Sequence, residues 1–182
     1  WNSSKLASSL NIDSGTVKRY IDMLTECYMV RQLQPWTENV GKRIRRSPKV
    51  YLRDSGILHS MLGIRTTKDL EDSPAYGASW EGFAVEQVVR MAGSSYESFA
   101  WETLAGAELD LLLVNGTQKI GFEMKASETP STTKSMRIAA ADLKLERIFV
   151  IHPGFTSHEL DSTIHVVALR DLQKIVAPYL ES

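Results

Sequence analysis

ELDLLLVNGTQKIGFEMK, residues 108–125, is the stretch that decides the fold. Two apolar segments flank Asn115-Gly116, and that dipeptide between strand-like runs signals a tight β-hairpin, because glycine accepts the left-handed backbone of a two-residue turn. Turning the chain there brings Asp110, at the start of the first strand, to the same end as Glu123, at the close of the second. A strand's period of two then puts Glu123 and Lys125 on one face and Met124 on the other. Two carboxylates beside a lysine at a sheet end are the groups needed to hold Mg²⁺ or Mn²⁺ and to set a water against a phosphodiester. Lys125 would orient that water or help deprotonate it, and would offset developing negative charge. Asp110, Glu123 and Lys125 are therefore the candidate catalytic residues. A second acid-x-lysine triplet, Asp142-Leu-Lys144, falls in a predicted helix, where its side chains diverge.

Upstream, a helix is predicted from Ser79 to Met91. Trp80, Ala84, Val88 and Met91 form its apolar face, with Glu81 inside that arc and Glu86 opposite it. A carboxylate turned toward a core needs a partner. A metal shared with Asp110 and Glu123 would supply one, so Glu81, Asp110 and Glu123 are the candidate metal ligands. Strands are predicted at 96–101, 108–114, 119–125, 147–151 and 164–168, and helices at 132–145 and 171–179. The order α-β-β-β-α-β-β-α implies an α/β (α+β) mixed sheet with helices on its faces.

The N-terminal part reads differently. Lys5–Asn11 and Val17–Met29 read as two helices around a short polar turn, with Asp13 or Ser14 as N-cap and Val17, Tyr20, Ile21, Leu24 and Tyr28 as a buried stripe. That is a helix-turn-helix pattern. Two strands around a polar tip follow, at 29–36 and 44–52, as in the wing of a winged helix. Lys18 and Arg19 lie off the apolar stripe, and Lys42, Arg43, Arg45, Arg46 and Lys49 crowd the tip and return strand. Lys18, Arg19, Lys42, Arg43, Arg45 and Arg46 are the candidate phosphate contacts to DNA, which would fix register without reading bases. The expected division is a winged-helix-like segment over 1–65 and a second domain over 66–182.

Charge follows that division. The net charge of −1 hides eleven basic and five acidic residues in 1–65, net +6, against net −7 in the remainder. With 182 residues, 43% hydrophobic and 24% charged, the chain can build a sizeable core and is neither disordered nor fibrous. The single Cys27 excludes an intrachain disulfide and suits a reducing compartment, and no apolar run reaches membrane-helix length. A cytoplasmic protein with no membrane partner is expected. No G-x-x-x-x-G-K-[ST] loop occurs, so ATP binding by that device lies outside these residues. The four histidines lack metal-ligand spacing.

Asp110, Glu123-Met-Lys125 and the upstream Glu81 resemble the PD-(D/E)xK nuclease superfamily, whose restriction-endonuclease-like core has the order α-β-β-β-α-β. More closely, Tyr51-Leu-Arg-Asp-Ser-Gly-Ile-Leu58, Leu62-Gly-Ile64, Gly77-Ala-Ser-Trp-Glu81-Gly-Phe83, Gly106-Ala-Glu-Leu-Asp110 and Phe122-Glu-Met-Lys125 resemble a C-terminal domain of unknown function of prokaryotic AAA-type ATPases. The resemblance covers nearly the whole chain. It implies a winged-helix segment followed by a nuclease-like domain that cleaves or binds DNA with a divalent metal. The alternative it leaves is a non-catalytic docking or regulatory module of the ATPase. It further implies an upstream ATPase domain as a partner, and it allows oligomerisation. The start at Trp1 fits a portion of a longer protein. Glu102 departs from the pattern, since such proteins often carry an arginine just before the Gly-x-Glu-x-Asp strand.

Overall fold

The structure, a computed structural model, describes residues 3–37 and 47–181. Local sequence signals set most element ends. α1 (Ser3–Leu10) and α2 (Ser14–Glu26) are separated by Asp13, whose carboxylate accepts the Thr16 N–H at 2.9 Å as an N-cap. β1 (Val30–Pro35) and β2 (Lys49–Leu52) follow, then α3 (Ser55–Met61), capped in the same way by Asp54. The polar segment between α3 and Pro74 holds a short helix, α4 (Thr67–Glu71). Its cause is a capping box in which Thr66 and Asp69 satisfy each other's backbone N–H groups at 2.9 and 3.1 Å.

The remainder comprises α5 (Tyr76–Ala92), β3 (Glu97–Glu102), β4 (Glu108–Asn115), β5 (Gln118–Met124), α6 (Lys134–Leu143), β6 (Ile148–His152), β7 (His158–Glu159), β8 (Ile164–Ala168), α7 (Leu172–Ile175) and α8 (Ala177–Leu180). The single C-terminal helix expected at 171–179 is two short ones. Pro178, in the first turn of α8, has no N–H with which to continue α7.

Among the described residues eight helices surround one mixed sheet of eight strands, ordered β2-β1-β3-β4-β5-β6-β8-β7. The β4–β5 hairpin forms, but one residue later than the Asn115-Gly116 dipeptide predicts: Asn115 pairs with Gln118, so Gly116 and Thr117 make the turn, with Gly116 at a φ of 58°. The expected alternation along β4 fails at Asp110. Leu109 packs on one face with Trp101 and Leu112, whereas Leu111 packs on the other, opposite a register shift in β3 between Phe99 and Trp101. Cores lie on both faces. α5, α7 and α8 cover Leu33, Leu111, Leu113, Phe122, Phe149 and Val167, while α6 covers Leu109, Leu112, Ile148, Val150 and Ile164. The molecule is thus a mixed α/β assembly of helix, sheet and helix layers.

The strands read as a wing form an antiparallel pair, and β1 also runs parallel to β3, through Gln34–Phe99 and Pro35–Ala100, so both parts contribute strands to one sheet. The stripe expected to bury one face of α2 is mostly open: Val17 is buried, but Tyr20 is 56% and Tyr28 77% exposed. α1 and β1 are the elements against which α2 packs, and they cover too little of it. The tip between the strands, with Lys42, Arg43, Arg45 and Arg46, lies outside the described residues. No helix among the described residues is long and apolar enough to cross a membrane.

Candidate functional site

Three carboxylates and two lysines meet near one end of the central strands. The hairpin register that pairs Leu111 with Phe122 sets Asp110 opposite Glu123 one position further on. Both are buried, at 5% and 3% exposure. Lys125 turns back as its period-two position predicts, and its Nζ lies 2.6 Å from Glu123 Oε1. Asp110 Oδ2 accepts the Met124 N–H at 2.9 Å, which ties the two strands together at the site.

The expected meeting of Glu81 with Asp110 occurs through a residue that no sequence argument assigned to the site. Lys49, on β2, donates to Asp110 Oδ1 at 2.6 Å and to Glu81 Oε1 at 3.0 Å. The Tyr51 hydroxyl, two residues along the same strand, donates to the same Glu81 oxygen at 2.6 Å. Lys49 belongs to the basic run of the return strand but not to the candidate phosphate contacts, and its ammonium ends on Glu81 and Asp110. The signal for it is the alternation Lys49-x-Tyr51-x-Arg53, which puts three polar side chains on one face of β2. A close approach helps: a Cβ on Gly82 would lie 3.2 Å from the Tyr51 ring, so glycine there lets α5 and β2 approach each other closely.

Glu86 corrects the helix reading. It is expected on the outer face of α5 but is 4% exposed, because β1 and β2 cover that side. Arg31 reaches it through Nε at 2.7 Å and Nη2 at 3.1 Å, and Arg53 through Nε at 2.9 Å and Nη2 at 2.7 Å. Burial opposes the charge on Glu86, but these two guanidinium groups outweigh it and hold the carboxyl below the usual glutamate range.

Electrostatics divide the site. Burial, reinforced by the Asp110 charge, pushes Glu123 up to about 7, against the smaller opposing pull of Lys125. Burial alone would lower Lys49, but Asp110 and Glu81 drive it above the ordinary lysine value. Lys125 is likewise raised, by its bond to Glu123 acting against burial. Burial and then the Glu81 charge keep Tyr51 protonated. Both lysines are therefore ammonium donors at neutral pH.

Glu123 Oε2 is buried and accepts no hydrogen bond. An orphaned carboxylate oxygen on a residue cross-strand from a second carboxylate is chemically suited to a hard divalent cation, so Asp110 and Glu123 fit Mg²⁺ or Mn²⁺ as oxygen donors. As arranged, no group of three His, Cys, Asp or Glu side chains among the described residues is placed to hold one ion, since Glu81 is turned to Lys49.

The family model described as Domain of unknown function (DUF4143) matches residues 76–172, more than half of the chain. The chain belongs to the DUF4143 family. Its first part, residues 1–68, matches a second model, Domain of unknown function (DUF8612). Uncharacterized proteins Mb2031c of Mycobacterium bovis and Rv2008c of Mycobacterium tuberculosis are each 44% identical to it over 167 residues, 92% of this chain. The chain spans only 38% of the length of those relatives.

The DUF4143 match contains Glu81, Asp110, Glu123 and Lys125, whereas Lys49, Tyr51, Arg31 and Arg53 come from the DUF8612 stretch. The site is thus shared between the two matched regions. Of the candidate phosphate contacts, Lys18 and Arg19 are exposed on α2, and Arg19 also donates to Thr16 Oγ1 at 2.9 Å. Lys42, Arg43, Arg45 and Arg46 lie outside the described residues. Two of the four histidines make local hydrogen bonds: His59 with Ser79 Oγ at 2.6 Å and His152 with the Thr156 carbonyl at 3.0 Å.

Proposed function

We propose that this chain is the C-terminal part of a prokaryotic AAA-type ATPase, and that its DUF4143 region is a nuclease-like domain of the PD-(D/E)xK type that cleaves DNA with Mg²⁺ or Mn²⁺. One observation carries the reading: the buried, unpartnered Oε2 of Glu123 opposite Asp110. Asp110 and Glu123 would hold the ion, with Glu81 near it. A bound divalent ion would polarise the phosphate and lower the pKa of an attacking water. Lys125, held protonated, acts as a donor to a phosphate oxygen or to that water and not as a base. Glu123 is the group whose charge is poised near neutrality. The N-terminal part, read as a winged helix, would contact the DNA backbone through Lys18, Arg19, Lys42, Arg43, Arg45 and Arg46.

The test is cleavage of supercoiled, linear and single-stranded DNA by purified protein with Mg²⁺ or Mn²⁺, beside Asp110→Ala and Lys125→Ala. Each substitution is expected to lower the rate by about 100-fold or more, the scale on which a positioned charge group acts. Cleavage that survives both substitutions overturns the reading.

A second reading is favoured by the ion pairs themselves. Lys49 neutralises Asp110 and Glu81 while Lys125 neutralises Glu123, which suits a non-catalytic docking or regulatory module. That module would bind DNA without cutting it, with affinity that falls with salt and with loss of Arg43, Arg45 and Arg46.

A further inference from the structure

We infer that Lys49 is the site's own counter-cation, and that a divalent ion gains Asp110 only by displacing it. This rests on the metal-site reading above. Asp110 offers two oxygens, and both are engaged: Oδ2 by the Met124 N–H at 2.9 Å and Oδ1 by the Lys49 ammonium at 2.6 Å. The same ammonium holds Glu81, the third acid, 3.0 Å away. An ammonium and a divalent cation cannot share Asp110 Oδ1 at contact distance without strong repulsion, which is weakly screened in a buried site. The two cations therefore compete for Asp110.

The ammonium is delivered by a fixed element. Tyr51 donates to Glu81 at 2.6 Å, and Arg53 clasps Glu86 one and a half turns along the same helix, at 2.7 and 2.9 Å. β2 is thereby pinned to α5 at three places on one face. Lys49 belongs to the region matched by DUF8612 and Asp110 to the region matched by DUF4143. The first region therefore sets whether the second accepts metal, and by linkage metal loosens the grip of Lys49 on α5.

Mn²⁺ titrated calorimetrically into the wild type, Lys49→Gln and Lys49→Arg tests this. The Gln variant is expected to bind Mn²⁺ at least 10-fold more tightly than the wild type, and the Arg variant to match the wild type. Because Lys49→Gln leaves two acids uncompensated and could fail to fold, a second measurement uses the wild type alone. Acylation of Lys49 by an amine-reactive reagent, read by mass spectrometry, should rise several-fold when Mn²⁺ is added. Equal affinity in wild type and Gln variant, or unchanged Lys49 acylation at saturating Mn²⁺, overturns the counter-cation role and leaves the metal site standing. Absence of Mn²⁺ binding in both proteins overturns the metal site and the inference together.

Discussion

Glu123 and Glu86 are two buried glutamates whose charges have opposite effects on stability. Glu123 is raised in the folded state to about 7, so between its unfolded value and 7 the folded protein holds the extra proton, and stability falls as pH rises through that window. Each pKa unit corresponds to about 1.4 kcal/mol, which makes a loss of about 2 kcal/mol between pH 5 and pH 8 the expected scale. Urea unfolding in the presence of a chelator checks it, with Glu123→Gln expected to flatten the slope. Glu86 is lowered, so its contribution is complete above the ordinary glutamate range and is lost as pH falls through the folded value. Glu86→Gln leaves Arg31 and Arg53 without their carboxylate and should cost about 3 kcal/mol at pH 7, the scale for breaking a buried ion pair. The same unfolding experiment reads it.

At the scale of elements, a glycine records how closely the layers approach. A Cβ on Gly121 of β5 would meet Leu145 at 2.7 Å and Ile148 and Leu109 at 3.2 Å. Gly121→Ala overfills the core under α6 and is expected to lower stability by about 2 kcal/mol, measured by urea or thermal unfolding. The β4–β5 hairpin was legible because its turn chemistry and alternation are local, and the run of helices and strands after α5 was legible for the same reason. β2 was half legible. Its strand character shows in the sequence, but the partners of Lys49, Tyr51 and Arg53 do not, because nothing nearby in sequence answers them. The same blindness misjudged α5. A helix covered on more than one side cannot be sorted by a single apolar arc, so Glu86 was placed outside.

At the scale of the molecule, the two matched regions share one sheet, one core and two sets of ion pairs. Leu33 of β1 is fully buried with Leu111 and Phe122, and Arg31, Lys49 and Arg53 all end on acids of the second region. A fragment of residues 66–182 should therefore unfold less cooperatively and at lower urea than the whole chain. Circular dichroism across a urea titration checks this, and equal midpoints would make the two regions independent.

The sequence by itself determined the hairpin, the run from α5 through β6, the pairing of Asp110 with Glu123 and Lys125 at one sheet end, and the charge split of +6 against −7. Only the tertiary structure decided where three of those positive charges go. Lys49 meets residues 32 and 61 positions away, and Arg31 meets one 55 positions away. Periodicity speaks for neighbours along the chain, whereas Coulomb attraction depends on distance through space. Part of a charge imbalance that reads as attraction to a polyanion is therefore spent inside the protein, holding its own acids.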